Sequence, residues 1–73
     1  MNANADTIST ILDGARIAGR QAAGNGWSNA DTAVAYWLRG GSTNADQAAE
    51  IGIAGRAESA FVRGFMDART GRA

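Results

Sequence analysis

The sequence predicts an all-α fold, a compact three-helix domain in which two shorter helices cover one long C-terminal helix. Three observations predict it. The tripeptide Asn-Ala-Asp occurs at 4–6, 29–31 and 44–46, and a stretch with helical hydrophobic periodicity follows each copy. Glycines stand where the periodicity stops, at Gly24 and Gly26 and again at Gly40 and Gly41. The chain contains no proline, and alternation with a period of two is weak throughout, so no strand is expected.

The starts and stops have a common chemistry. An Asn side chain accepts hydrogen bonds from the unpaired amides of a first helical turn, Ala has the best helix propensity, and Asp in that turn complements the helix dipole. Ser28 with Asp31 and Thr43 with Asp46 add the spacing of a capping box, with Asp in place of the usual Glu. At the other end a glycine takes the positive φ that closes a helix C-terminus.

The first helix is expected over 5–23, with Ile8, Ile11, Leu12, Ala15, Ala18, Gly19 and Ala22 on one face and Ser9, Asp13, Arg16 and Arg20 outside. The second, over 30–39, turns Val34, Trp37 and Leu38 inward beside Ala30 and Ala33. Trp27 precedes it and folds back on the entry as a hydrophobic staple, and both tryptophans are read as core because a chain this small has few other bulky groups. The third helix, over 45–69, carries Ile51, Ala54, Gly55, Phe61, Val62 and Phe65 on one side and Arg56, Arg63 and Asp67 on the other. Small residues form stripes, Ala15, Gly19 and Ala23 on the first helix and Ala48, Gly52, Gly55 and Ser59 on the third. Glycine inside a helix costs about 0.5–1 kcal/mol relative to Ala, so these stripes predict close crossing of the first and third helices, with a kink near Gly52 and Gly55 as the alternative.

A single domain over 1–73 has a small core, because a chain of this length buries only about 60% of its extended-chain surface. Such proteins recruit a disulfide, a metal, close helix packing or a partner. With no cysteine and no histidine, a disulfide is excluded and neither a transition-metal site nor a cofactor is expected. Close packing and partners remain. The formal charge is zero, from 7 basic residues, all Arg, and 7 acidic ones, whereas a dedicated nucleic-acid binder shows a basic excess. The Arg, Ala and Gly usage is that of a GC-rich genome. No apolar run approaches the roughly 20 residues of a membrane span and no signal peptide opens the chain, so a cytoplasmic, non-membrane protein is expected.

Ordinary catalysis needs a nucleophile with a base, paired carboxylates or a metal cluster. Without His or Cys the common triads and dyads cannot be built, the carboxylates are scattered over helix starts and outer faces, and residues 23–26 contain neither a Walker pattern nor a dinucleotide-binding fingerprint. No enzyme is expected. The second and third helices with the turn between them allow a helix-turn-helix reading, but a recognition helix places its first turns against bases and phosphate. Here those turns carry Asp46 and Glu50 and no Arg before Arg56.

Four features exceed what the core requires. Glu58 projects near the middle of the apolar side, between Ile51, Ala54, Phe61, Val62 and Phe65. Either that face is wider than the core, or an Arg such as Arg16 or Arg39 pairs with Glu58, or the face meets a partner, since a buried unpaired carboxylate costs several kcal/mol. Ile17 and Ile53 lie in the same tetrapeptide, Ile-Ala-Gly-Arg at 17–20 and 53–56, and both project away from the main apolar stripes with Arg20 and Arg56 beside them. Tyr36 also points away from the core. Single exposed apolar residues are ordinary; together these six residues, Ile17, Arg20, Tyr36, Ile53, Arg56 and Glu58, are the expected protein-interaction surface.

The C-terminal phrase Gly64-Phe65-Met66-Asp67-Ala68-Arg69, followed by Gly71 and Arg72, is similar to endings of small accessory proteins from phages and plasmids of GC-rich hosts. That likeness covers only those residues. The expected function is a non-enzymatic protein-protein interaction module, self-associating as a homodimer or bound to a foreign protein. A phage- or plasmid-encoded inhibitor of the anti-defence or anti-CRISPR type is one form of it. The alternatives are a small helix-turn-helix DNA binder and a structural subunit of a larger assembly.

Overall fold

The computed structural model describes residues 4–40 and 42–71. Gly41, read as part of the second stop, and Arg72, of the C-terminal phrase, lie outside the described residues. Among the described residues the fold is all-helical, but with four helices rather than three: α1 (Ala5–Gly24), α2 (Ala30–Arg39), α3 (Thr43–Glu50) and α4 (Ala54–Arg69). The expected long C-terminal helix is therefore two.

The break is made by Gly52. Its φ is +79°, in the left-handed region, and the amides around it turn back on the last turn of α3: Gly52 N–H donates to the Ala49 carbonyl at 3.3 Å and Ile53 N–H to the Ala48 carbonyl at 2.8 Å. Those two bonds are the Schellman closure of a helix end. The end of α1 is built the same way, with Gly26 at φ +93° and bonds from Gly26 to Ala23 at 3.3 Å and from Trp27 to Ala22 at 3.2 Å. The sequences match, Ala-Ala-Gly-Asn-Gly-Trp at 22–27 and Ala-Ala-Glu-Ile-Gly-Ile at 48–53. A kink near Gly52 underestimated what this pattern does, which is to end one helix and start another.

Caps fix the starts. The Asn4 side chain accepts from Thr7 N–H at 2.8 Å, and the Asn29 side chain accepts from Thr32 N–H at 3.2 Å. Asn29 thus takes the capping place assigned to Ser28 as well. At α3 the cap is Ser42, which accepts from Ala45 N–H at 3.5 Å. Asn44, one residue into α3, is released from capping, and its side chain covers Gly14 of α1.

α1 and α4 form the frame. At about 1.5 Å per residue α1 is roughly 30 Å long, most of the 36 Å longest extent of the molecule. Arg56, in the first turn of α4, borders a groove with Ile8 and Leu12 of α1, while Arg69 at the far end of α4 donates to the Ser28 carbonyl just beyond α1. The two helices therefore run in the same general direction, and α2 and α3 make the return path. Arg69 is clamped twice, since its guanidinium carbon also stands 5.8 Å from the centre of the Phe65 ring, a cation–π contact.

Where they cross, backbone meets backbone. A Cβ on Gly19 would stand 2.9 Å from the Phe65 amide nitrogen and closer still to the Phe61 carbonyl oxygen. A Cβ on Gly64 would stand 2.9 Å from the Arg16 carbonyl carbon and closer to its oxygen. The expected close crossing of the first and last helices is present, but its second partner is Gly64. Of the stripe expected at 48–59 only Ala48 is buried: Gly52 and Gly55 have nothing within 4 Å of where their Cβ would be, and Ser59 is exposed.

Ile11, Ala15, Gly19 and Ala22 of α1 and Ala57, Phe61, Gly64 and Phe65 of α4 are buried, joined by Ala33 and Val34 of α2 and Ala45 and Ala48 of α3. Among the described residues no polar or charged residue is buried. Trp27 and Trp37, expected in the core, are half-buried against its edge, with Trp37 packed on Phe61 at a ring-centre distance of 5.2 Å.

Candidate functional site

Trp27 owes its position to the closure of α1. Gly26 turns the chain, and Trp27 N–H is tied to Ala22, so the indole lies back across α1 towards α2. Tyr36 comes from the outer side of α2, two residues beyond buried Val34, and is 65% exposed. The two rings meet with centres 5.4 Å apart and planes tilted by 42°. Offset, tilted pairs at this distance are favoured by the ring quadrupoles.

This pair is a ridge between two open grooves. On one side a groove of about 280 Å³ lies between α1 and α2, walled by Ala18, Gln21 and Ala22 and floored by Ala33, Trp37 and Phe61. On the other side a second groove, also about 280 Å³, is bordered by Thr32, Ala35 and Arg39. Trp27, Tyr36 and Gly40 belong to both. Among the described residues neither groove is lined by a carboxylate. Each is slightly smaller than the roughly 300–1,000 Å³ of small-molecule sites and open to solvent, a size suited to individual side chains of a partner. Tyr and Trp are the residue types that carry binding energy at such contacts.

The six expected interaction residues do not form one surface. Tyr36 is on the ridge. Ile17 is 54% exposed and lies four residues before Gln21 on the same face of α1, so it extends the same side of the molecule. Arg20 is exposed on α1. Arg56 is exposed and lines a different groove, of about 510 Å³, with Ile8, Leu12, Asp13 and Arg16. Glu58 is exposed rather than set in the apolar side. One helical phase carried from Thr43 across the break misplaces it, and on α4's own stripe of Ala57, Phe61, Gly64 and Phe65 it stands at the edge. Ile53 is half-buried against the core. It does not point outward, because it follows Gly52 as Trp27 follows Gly26, and that position folds back on the helix just ended. Of the two isoleucines, Ile17 alone is left exposed.

Trp27 and Arg39 join the site without having been assigned to it. The signal for Trp27 was its place after the closing glycine. For Arg39 it was the spacing of three from Tyr36, which puts both on one face of α2. Met66, 49% exposed on α4, had no signal beyond lying next to buried Phe65. Among the described residues no group of three or more carboxylates is placed to hold a metal ion, and no helix is long and apolar enough to cross a membrane. α3, the recognition helix of the helix-turn-helix reading, carries Asp46 and Glu50 and no basic residue. The chain matches no protein-family model, no curated protein and no solved structure.

Proposed function

We propose that this chain is a non-enzymatic protein-binding module whose contact surface is the Trp27–Tyr36 ridge with its two grooves. The observation that carries the reading is Tyr36, a large aromatic left 65% exposed while stacked on a second aromatic. Burying such a side chain contributes about 1.5–3 kcal/mol to association, and the grooves on either side receive what a partner brings. The lack of His and Cys and the dispersal of the carboxylates support a binding role over a catalytic one. Inhibition of a host protein, as by a phage- or plasmid-encoded anti-defence or anti-CRISPR protein, is one concrete form of this function, and a cytoplasmic setting goes with it.

The test compares the protein with its Tyr36→Ala variant as bait in a lysate of the native host, read by mass spectrometry. The wild type retains a defined protein and Tyr36→Ala, with an unchanged circular dichroism spectrum, loses it. Equal retention by both removes the ridge as the contact surface. Submicromolar, salt-sensitive binding to random duplex DNA replaces this reading with the helix-turn-helix one, because phosphate neutralisation is what makes affinity fall steeply with salt.

A further inference from the structure

We propose that the occupant of the ridge is a proline-rich segment in polyproline II conformation with an acidic residue at one end. This rests on the protein-binding reading above and adds the chemistry of the partner. A polyproline II helix has three residues per turn and about 3.1 Å rise per residue. It presents side chains in pairs that straddle an aromatic wall and settle into shallow slots on both sides, and its stiffness keeps the ordering cost of binding low. The Trp27–Tyr36 pair is such a wall, with two shallow grooves of about 280 Å³ each that share Trp27, Tyr36 and Gly40.

The polar groups fit as well. A polyproline II backbone has no internal hydrogen bonds, so its carbonyls seek donors. Trp27 offers an indole N–H and Tyr36 a hydroxyl, and among the described residues neither is engaged in a hydrogen bond. Among the described residues Arg39 is the charged one lining these grooves, in the one beside Thr32 and Ala35. With no carboxylate among the described residues that line either groove, Arg39 selects an acidic end on the ligand. These 73 residues contain no proline, so a second copy of them does not supply the segment.

The test uses three fluorescein-labelled peptides: two Pro-x-x-Pro repeats ending in Glu-Glu, the same repeats ending in Arg-Arg, and the Glu-Glu peptide with every proline replaced by alanine. Fluorescence anisotropy is read together with the Trp27 indole N–H signal in a 15N-edited NMR spectrum. The Glu-Glu peptide is expected to bind with a Kd of about 10–300 µM, typical of a few side-chain contacts, and to shift the Trp27 signal. The Arg-Arg peptide binds at least about tenfold more weakly and the alanine peptide weaker still. Tyr36→Ala, with an unchanged circular dichroism spectrum, loses about tenfold or more, and Arg39→Glu inverts the preference between the acidic and basic ends. Three results each overturn the proposal: no Trp27 shift at millimolar Glu-Glu peptide, equal binding of the alanine peptide, or tighter binding of oligo-dT than of peptide. So does a wild-type homodimer that Tyr36→Ala makes monomeric, since a second copy then fills the site. If the Tyr36→Ala bait still loses its host protein while no peptide binds, the binding module stands and only the proline-rich ligand is lost.

Discussion

The α1–α4 pair and the α2–α3 pair use their apolar residues differently. In the first, Ile11, Phe61 and Phe65 are fully covered, and glycines at 19 and 64 bring the two backbones into contact. In the second, the buried side chains are Ala33, Val34, Ala45 and Ala48, while Trp37 and Leu38 are only half-covered and Tyr36 faces solvent. The long pair buries the largest fully covered side chains, although its Ile17 and Met66 stay about half exposed, and the return path buries nothing larger than Val34. A small domain can hold an exposed aromatic ridge in place when a separate, close-packed frame supplies most of the burial.

The strongest way to break that frame is to empty it. Phe65→Ala removes a fully buried ring from under Arg69, at an expected cost of about 3–5 kcal/mol. Since a small protein's whole stability is on the order of 5 kcal/mol, the variant is expected to be largely unfolded at 37 °C, which a thermal melt followed at 222 nm measures. A cooperative melt within a few degrees of wild type would mean that α2 and α3 share the frame's role.

Next comes the crossing itself. Gly64→Ala adds one methyl group, which meets the Arg16 carbonyl on the neighbouring helix. Backbone cannot rotate away as a side chain can, so α1 and α4 must separate, at an expected net cost of about 1–3 kcal/mol in urea unfolding despite alanine's better helix propensity. Gly52→Ala should cost less, about 1–2 kcal/mol, because the new methyl has open space and only the positive φ of +79° opposes it. No loss at 64 would show that α1 and α4 can part there without cost, since Gly64 has no positive φ to oppose alanine.

How legible all this was in the sequence depends on the range of the interaction. Caps and closures are local, so three starts and the stop after Gly24 could be read from Asn-Ala-Asp and glycine. The break at Gly52 was equally local, because 48–53 repeats the pattern of 22–27 in its alanines, its glycine and its final apolar residue. It was missed because hydrophobic periodicity was carried through it, and Ile53 and Glu58 were misplaced for that one reason. The pairing of Gly19 with Gly64 was half legible, as a stripe on α1 gives no indication of which turn of another helix will meet it. The ridge was legible only as an exposed Tyr36. That Trp27 supports it depends on where α1 and α2 lie relative to each other, which no single helix face specifies.

The finest test of the comparison is a third glycine-to-alanine change, and its expected sign is reversed. Gly55 lies in the first turn of α4 with a helical backbone, and nothing stands within 4 Å of the position its Cβ would take. The methyl therefore meets neither the crossing that limits Gly64 nor the positive φ that limits Gly52. What remains is the effect on the unfolded chain, which has fewer conformations to lose when alanine replaces glycine, for a gain of about 0.4 kcal/mol at the low end of such substitutions. In a domain of this size about 1 kcal/mol corresponds to roughly 4–8 °C, so Gly55→Ala should raise Tm by about 2–3 °C. A fall in Tm would place another group over Gly55 and extend the close-packed surface of α4 into its first turn, removing the boundary between a tight crossing and an open helix start on which the contrast between the two helix pairs depends.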